Sequence, residues 1–246
     1  MVTRSQPPAQ QRPPGSDPLA SCLIDLAGTA DDDSTVNTRL TTIVQLVADL
    51  VDAVAFGSVT RQGESGYSTV AVSSELALAV DEAQYADKAG PCLDALDGGS
   101  PLSVPRIDAT MIWPAFRDAA YKLGLRSSLS IPLFAGRGLP VAALNLYSHD
   151  PAAMAPLSAA VLAAYDDAPE GRPPGPYEDL CPGAQDLIAG LTGAFAVRAT
   201  IQQAIGVIIS ERQTNADLAY ALLRSQAAET TGSLIEAATA VVAQNR

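Results

Sequence analysis

Metal and nucleophile chemistry leans on histidine and cysteine, and this chain has one histidine and three cysteines in 246 residues. His149 sits in Leu-Tyr-Ser-His-Asp-Pro, a strand running out into a turn, which places it in a solvated loop. Without a second histidine, a metal site, a Ser/His/Asp triad and most acid–base schemes have too few parts. Cys22, Cys92 and Cys181 are far apart, odd in number and never spaced as CxxC. That pattern fits neither a disulfide framework nor a zinc site. We therefore expect no catalytic residues, no metal and no enzyme. Cys92 follows Gly90-Pro91 and opens a helical stretch, where a helix N-terminus lowers a thiol pKa and suits a redox-sensitive thiol. The other reading is a small buried residue. Trp113 and Phe116 lie three apart in Trp-Pro-Ala-Phe, with Pro114 suited to the first turn of a helix. They either line a cavity or close the edge of a sheet. Asn145 lies between Leu144 and Leu146, so on a strand it points away from them and can hydrogen-bond a ligand or a loop backbone.

The elements that must position these residues are legible in outline. An apolar fraction of 48% with 17% charged residues excludes an intrinsically disordered chain. Twenty-seven acidic against fifteen basic residues give a net charge of −12. That balance opposes broad, non-specific binding to nucleic acid and gives no reason to expect DNA as a partner. Residues 1–16 are Pro- and Gln-rich and are expected to be a disordered tail without a signal-peptide core. No run of 18 apolar residues occurs, so a soluble, cytoplasmic protein away from membranes is expected.

Residues 17–30 carry an apolar helical stripe, and Val36, Leu40, Ile43, Val44, Leu46, Val47 and Leu50 form another, with Asp33 or Ser34 as its cap. Short strand-like runs follow at 51–59 and 67–74, around a hairpin turn at 61–66. Helical spacing returns over 75–86. Two more strands, 127–134 and 141–147, flank the turn Ala135-Gly-Arg-Gly. Residues 17–165 thus read as an α+β domain with a central antiparallel sheet and flanking helices. Residues 166–177, with Glu-Gly-Arg-Pro-Pro-Gly-Pro, read as a linker. Beyond it the chain is helical. Leu187, Leu191, Ala194, Arg198, Ile201, Ile205 and Ile208 alternate spacings of four and three, a seam suited to helix pairing within the chain or between two chains. Thr214 or Asn215 can cap a second helix, and Ser233 with Glu236 three residues on forms a capping box for a third.

Two blocks then resemble known families. Gly90-Pro-Cys-Leu-Asp-Ala, Trp113-Pro-Ala-Phe, Gly124-Leu-Arg-Ser-Ser-Leu-Ser-Ile-Pro-Leu and Ala143-Leu-Asn-Leu-Tyr-Ser resemble the GAF domain of actinobacterial regulators. Arg198, Ile201, Ala204, Gly206, Ala219-Tyr220, Leu223-Arg224, Leu234, Ala238 and Val241-Val242 resemble the ANTAR domain. The resemblance implies a GAF-like sensor over 17–165, then a long leading helix and a three-helix ANTAR-like domain over 178–246. It implies that the second domain binds structured leader RNA, as hairpins, in transcription antitermination. The first domain would answer an unidentified small-molecule or protein signal, with no cofactor specified, and the whole would form a homodimer. Under that resemblance the RNA-facing candidates are Arg198, Gln203, Ala204, Gly206, Tyr220, Arg224 and Thr231. The ligand-facing candidates are Cys92, Trp113, Phe116 and Asn145. Ala204 and Gly206 are small enough to let a neighbouring helix approach, with Ala219 and Ala238 to meet them. Ile205 stands where many ANTAR domains carry lysine, and residues 191–246 hold four arginines and four acids. Two other readings follow: a protein-interaction regulator whose helical module no longer binds RNA, and a redox sensor built on Cys92.

Overall fold

The computed structural model describes residues 18–31, 34–63, 66–167, 177, 179–230 and 232–245. The expected tail lies outside them, as does nearly all of the 166–177 linker. A five-stranded antiparallel sheet, ordered β2-β1-β5-β4-β3, is built from β1 (Phe56–Gly63), β2 (Gly66–Val72), β3 (Leu102–Val104), β4 (Ser127–Ala135) and β5 (Leu139–Ser148). Helices α1 (Pro18–Ala27), α2 (Thr35–Leu50) and α6 (Pro151–Asp167) contribute to the core on one face. Helices α3 (Glu75–Asp87), α4 (Pro91–Gly98) and α5 (Pro114–Lys122) cover the other. The chain ends in α7 (Pro182–Arg212), α8 (Ala216–Glu229) and α9 (Leu234–Gln244).

Both sheet faces are buried, and period-two alternation separates their chemistry. Leu129, Ile131 and Leu133 of β4 join Ala142, Leu144 and Leu146 of β5 in the main apolar core. The intervening positions, Ser128, Ser130, Asn145 and Tyr147, are equally buried on the opposite side.

Helix α7 serves two cores. Leu187, Ile188 and Leu191 pack with Leu19 and Leu23 of α1. About three turns on, Ile201, Ala204, Ile205 and Ile208 join Ala219, Leu223, Ala238 and Val241 in a separate core. By length and apolar composition α7 would suffice to cross a bilayer, but these side chains are buried inside the chain. The seam read from the sequence is thus occupied within one chain. The change of partner falls inside α7 and not within residues 166–177.

Several local expectations are corrected. The strand expected over 51–59 begins only at Phe56, because Val51 ends α2 with its N–H on Val47 O and Val54 N–H turns back to Val51 O. Ser34 precedes α2 in helical conformation and makes no side-chain cap bond. Asn215, not Thr214, caps α8 by accepting from Leu218 N. The Ser233–Glu236 capping box forms as expected. The short edge strand β3 carried no alternation long enough to be read.

Candidate sensor cluster and candidate RNA interface

The polar face of the sheet brings together groups from six elements. Ser58 and Ser130 flank Asn145 in direct cross-strand register. The Asn145 amide donates to Ser58 Oγ at 3.2 Å and Thr60 Oγ1 at 3.0 Å. Helix α3 lowers Asp81 and Gln84 onto this face, both without solvent exposure. Tyr147 donates to Asp81 Oδ1 at 2.8 Å and Thr69 donates to Asp81 Oδ2 at 2.9 Å. The Tyr85 hydroxyl joins Thr60 and Thr69 at 2.9 and 2.8 Å. Gln84 carries the network to α4, accepting the Cys92 N–H at 3.1 Å. Among the described residues, Asn145 Oδ1 and Ser128 Oγ are buried without a hydrogen-bond partner. A buried acceptor left unmatched costs free energy, so such atoms mark where a polar molecule gains most by binding.

Burial governs the electrostatics here. It raises the Asp81 carboxyl to about 6, opposed by hydrogen bonds from Ser58, Tyr147 and Thr69. Burial, then the Asp81 charge, raises the Tyr147 and Cys92 groups far above their ordinary values. The Cys92 thiol is therefore held protonated, which is the unreactive form.

All four sequence-derived ligand candidates reach this side of the sheet. Cys92 and Asn145 join the same network, Asn145 donating to Thr60 Oγ1 and the Cys92 N–H donating to Gln84 Oε1. Trp113 and Phe116 make an edge-to-face pair with centroids 6.4 Å apart and pack with Val80 and Tyr147 at one end of the cluster. The Trp113 indole donates to Asp94 at 3.2 Å. Sequence reasoning missed Asp81, Gln84, Tyr85, Thr60, Thr69 and Tyr147. A signal was available only for Tyr147, a polar-tipped residue alternating with Leu144 and Leu146 in a strand otherwise fit for a core; Asp81, Gln84 and Tyr85 lie on helix α3 and carried none.

On the helical module the RNA candidates separate into three groups. Ala204 is fully buried, meeting Ala219 and Ala238 in the core. Gln203 and Gly206 are exposed on α7, and a Cβ built on Gly206 would meet no atom within 4 Å. Gly206 is thus not the packing residue its spacing suggested; only Ala204 is. Arg198, Tyr220 and Arg224 line the side that meets the sheet domain. The Arg198 guanidinium lies 3.9 Å over the Phe134 ring, its Nε buried and without a hydrogen bond. The Tyr220 hydroxyl donates to Asp31 at 3.0 Å, and the Arg224 guanidinium stands 5.8 Å over the Tyr220 ring. Thr231 lies outside the described residues.

The comparisons with known proteins follow the same division. The family model for the GAF domain matches residues 33–164, and that for the ANTAR domain matches residues 189–242. The chain belongs to the GAF domain family and carries a C-terminal ANTAR domain. No curated protein matches it. One similar solved structure is a domain described as belonging to a two-component sensor histidine kinase protein from Sinorhizobium meliloti 1021. It is 13% identical with a TM-score of 0.41, covering 74% of this chain and 100% of that one. The ANTAR match opens at residue 189, inside α7, so the GAF core and the ANTAR core share one helix. The matches make the chain a signal-sensing regulator with an ANTAR module, a type of domain that binds RNA.

Proposed function

We propose that this protein binds structured leader RNA, as hairpins, through its ANTAR domain and promotes transcription antitermination when its GAF domain receives a signal. It acts in the cytoplasm as a homodimer, away from membranes and DNA, and without enzymatic activity. The supporting observation is that Gln203 and Gly206 stand exposed on α7, the helix that also carries Arg198 of the Arg198–Tyr220–Arg224 edge. A glycine inside a helix costs about 0.5–1 kcal/mol relative to alanine. No neighbour among the described residues requires it, so an approaching partner explains it better. Stacking on Tyr220 and hydrogen bonds from Gln203, Arg198 and Arg224 suit unpaired loop bases, which explains how a formally neutral module could read RNA. Two such modules in a dimer would raise effective affinity without new contacts. The signal is a small polar molecule or a protein acting on the Asp81–Asn145 cluster. Burial of the Cys92 thiol weighs against the redox reading. The protein-interaction reading draws support from Arg198 and Tyr220 already contacting the GAF domain.

Capture of total cellular RNA by purified full-length protein tests the proposal. Enrichment of a few paired-hairpin leaders, lost in Arg224→Ala and at raised salt, is the expected result. No enrichment by a folded protein, with or without cell extract as a source of signal, would replace RNA with a protein partner.

A further inference from the structure

The tip of the β4–β5 hairpin lies directly on the ANTAR domain. Gly136 and Gly138 both take positive φ, 52° and 83°, and a side chain at either would collide with the effector. At Gly136 it would meet the Tyr220 hydroxyl, and at Gly138 it would meet Gln202 Nε2 at 2.7 Å and Arg198 Nε at 3.0 Å. Between them Arg137 bridges two parts of the chain. Its Nε donates to Asp31 at 2.9 Å, and the same guanidinium reaches Asp217 of α8 at 2.9 Å. Tyr220 closes the ring onto Asp31, and Arg198 stacks on Phe134 just before the tip. Two of the residues that the RNA-binding reading needs, Arg198 and Tyr220, are among those nearest this tip.

We infer that the β4–β5 hairpin tip is an intramolecular latch: docked, it covers the Arg198–Tyr220–Arg224 edge of the ANTAR domain, and tilting it frees that edge for RNA. The inference rests on the proposed RNA binding. The lever is the hairpin itself, since β4 and β5 also carry Ser128, Ser130, Asn145 and Tyr147 of the sensor cluster. Six residues separate Ser130 from the tip, about 20 Å of strand. The ladder between β4 and β5 shifts register at Leu133/Phe134, between cluster and tip. An irregularity of this kind lets a strand bend locally. The contact strength also fits a device that must open. The Arg137 and Asp217 side chains are 43% and 84% exposed, and an ion pair this wet biases an equilibrium only a few-fold. A ligand with modest differential affinity for the two arrangements can reverse that bias.

The test uses full-length wild type, Arg137→Ala, Arg137→Asp, and Arg137→Asp combined with Asp217→Arg. Amide hydrogen exchange is read over 134–139 and 216–224, and affinity is read for a synthetic pool of stem-loop RNAs with randomised loops. In Arg137→Ala both segments should exchange faster and RNA should bind about fivefold tighter. The charge swap should return both readouts toward wild type relative to Arg137→Asp alone, which a general loss of folding would not do. Unchanged exchange in Arg137→Ala, or faster exchange with RNA affinity no higher, overturns the latch. Weaker RNA binding in Arg137→Ala also overturns it, by making Arg137 an RNA contact. If no variant binds RNA, wild type included, it is the RNA-binding reading that has failed, and the latch as an RNA cover falls with it.

Discussion

Asp81 is the residue on which the sensor cluster turns, because it accepts from Tyr147 and Thr69 while lying fully out of water. In the unfolded chain its carboxyl ionises near 3.8; in the folded chain it does so near 6. A raised carboxyl pKa means the folded state holds the proton longer. Its contribution to stability is complete below about pH 4 and is lost as pH rises through 6. A two-unit displacement corresponds to about 3 kcal/mol. The stability of wild type relative to Asp81→Asn, from urea unfolding, should therefore fall by about that amount between pH 4 and 7. A difference independent of pH would mean that Asp81 is ionised in the folded protein throughout. The side-chain types at Asn145, Trp113 and Phe116 were readable as candidates from local pattern alone. Asp81 was not, since one acid on an exposed-looking helix carries no sign of burial until the helix is docked.

At the scale of elements, α7 shows how one helix can satisfy two demands. Its first half is set by close approach: a Cβ on Gly190 would come within 2.7 Å of Ala20 Cα and Leu23 Cδ1, so α1 and α7 touch backbone to backbone. Its second half contains Gly206 in open space. The two glycines look alike in sequence and differ entirely in role. Gly206→Ala should stabilise the protein by about 0.5–1 kcal/mol in thermal unfolding while weakening RNA capture. Stabilisation with capture unaffected would remove Gly206 from the RNA-facing strip. Caps were legible where the local code is strong, as at Ser233 with Glu236. They failed at Ser34, where the backbone is already helical and the hydroxyl makes no cap bond.

For the whole molecule, sharing α7 couples the two cores. Trp113 is the single tryptophan and reports on the GAF domain, whereas far-ultraviolet circular dichroism sees the helices of both domains. Truncating a filled core position costs about 2–5 kcal/mol, so Leu223→Ala, a fully buried change in the ANTAR core, should lower the melting temperature seen by both probes together. Trp113 fluorescence melting at the wild-type temperature while dichroism shifts would show that the domains fold independently despite the common helix.

Local chemistry in the sequence was enough for the classes of element, the polar–apolar alternation of β4 and β5, the capping box and the order of two recognisable blocks. These rest on interactions between residues a few positions apart, where the backbone period alone decides who faces whom. Which polar residues share an enclosed cluster was settled by tertiary structure, as was the separation of Ala204 from Gly206. So was the meeting of Arg137 with Asp31 and Asp217, 106 and 80 residues away. A turn written Ala-Gly-Arg-Gly specifies a tight reversal and an exposed cation. Only the tertiary fold gives that cation two carboxylates, Asp31 between α1 and α2 and Asp217 on α8, and sets the glycines against Tyr220 and Arg198.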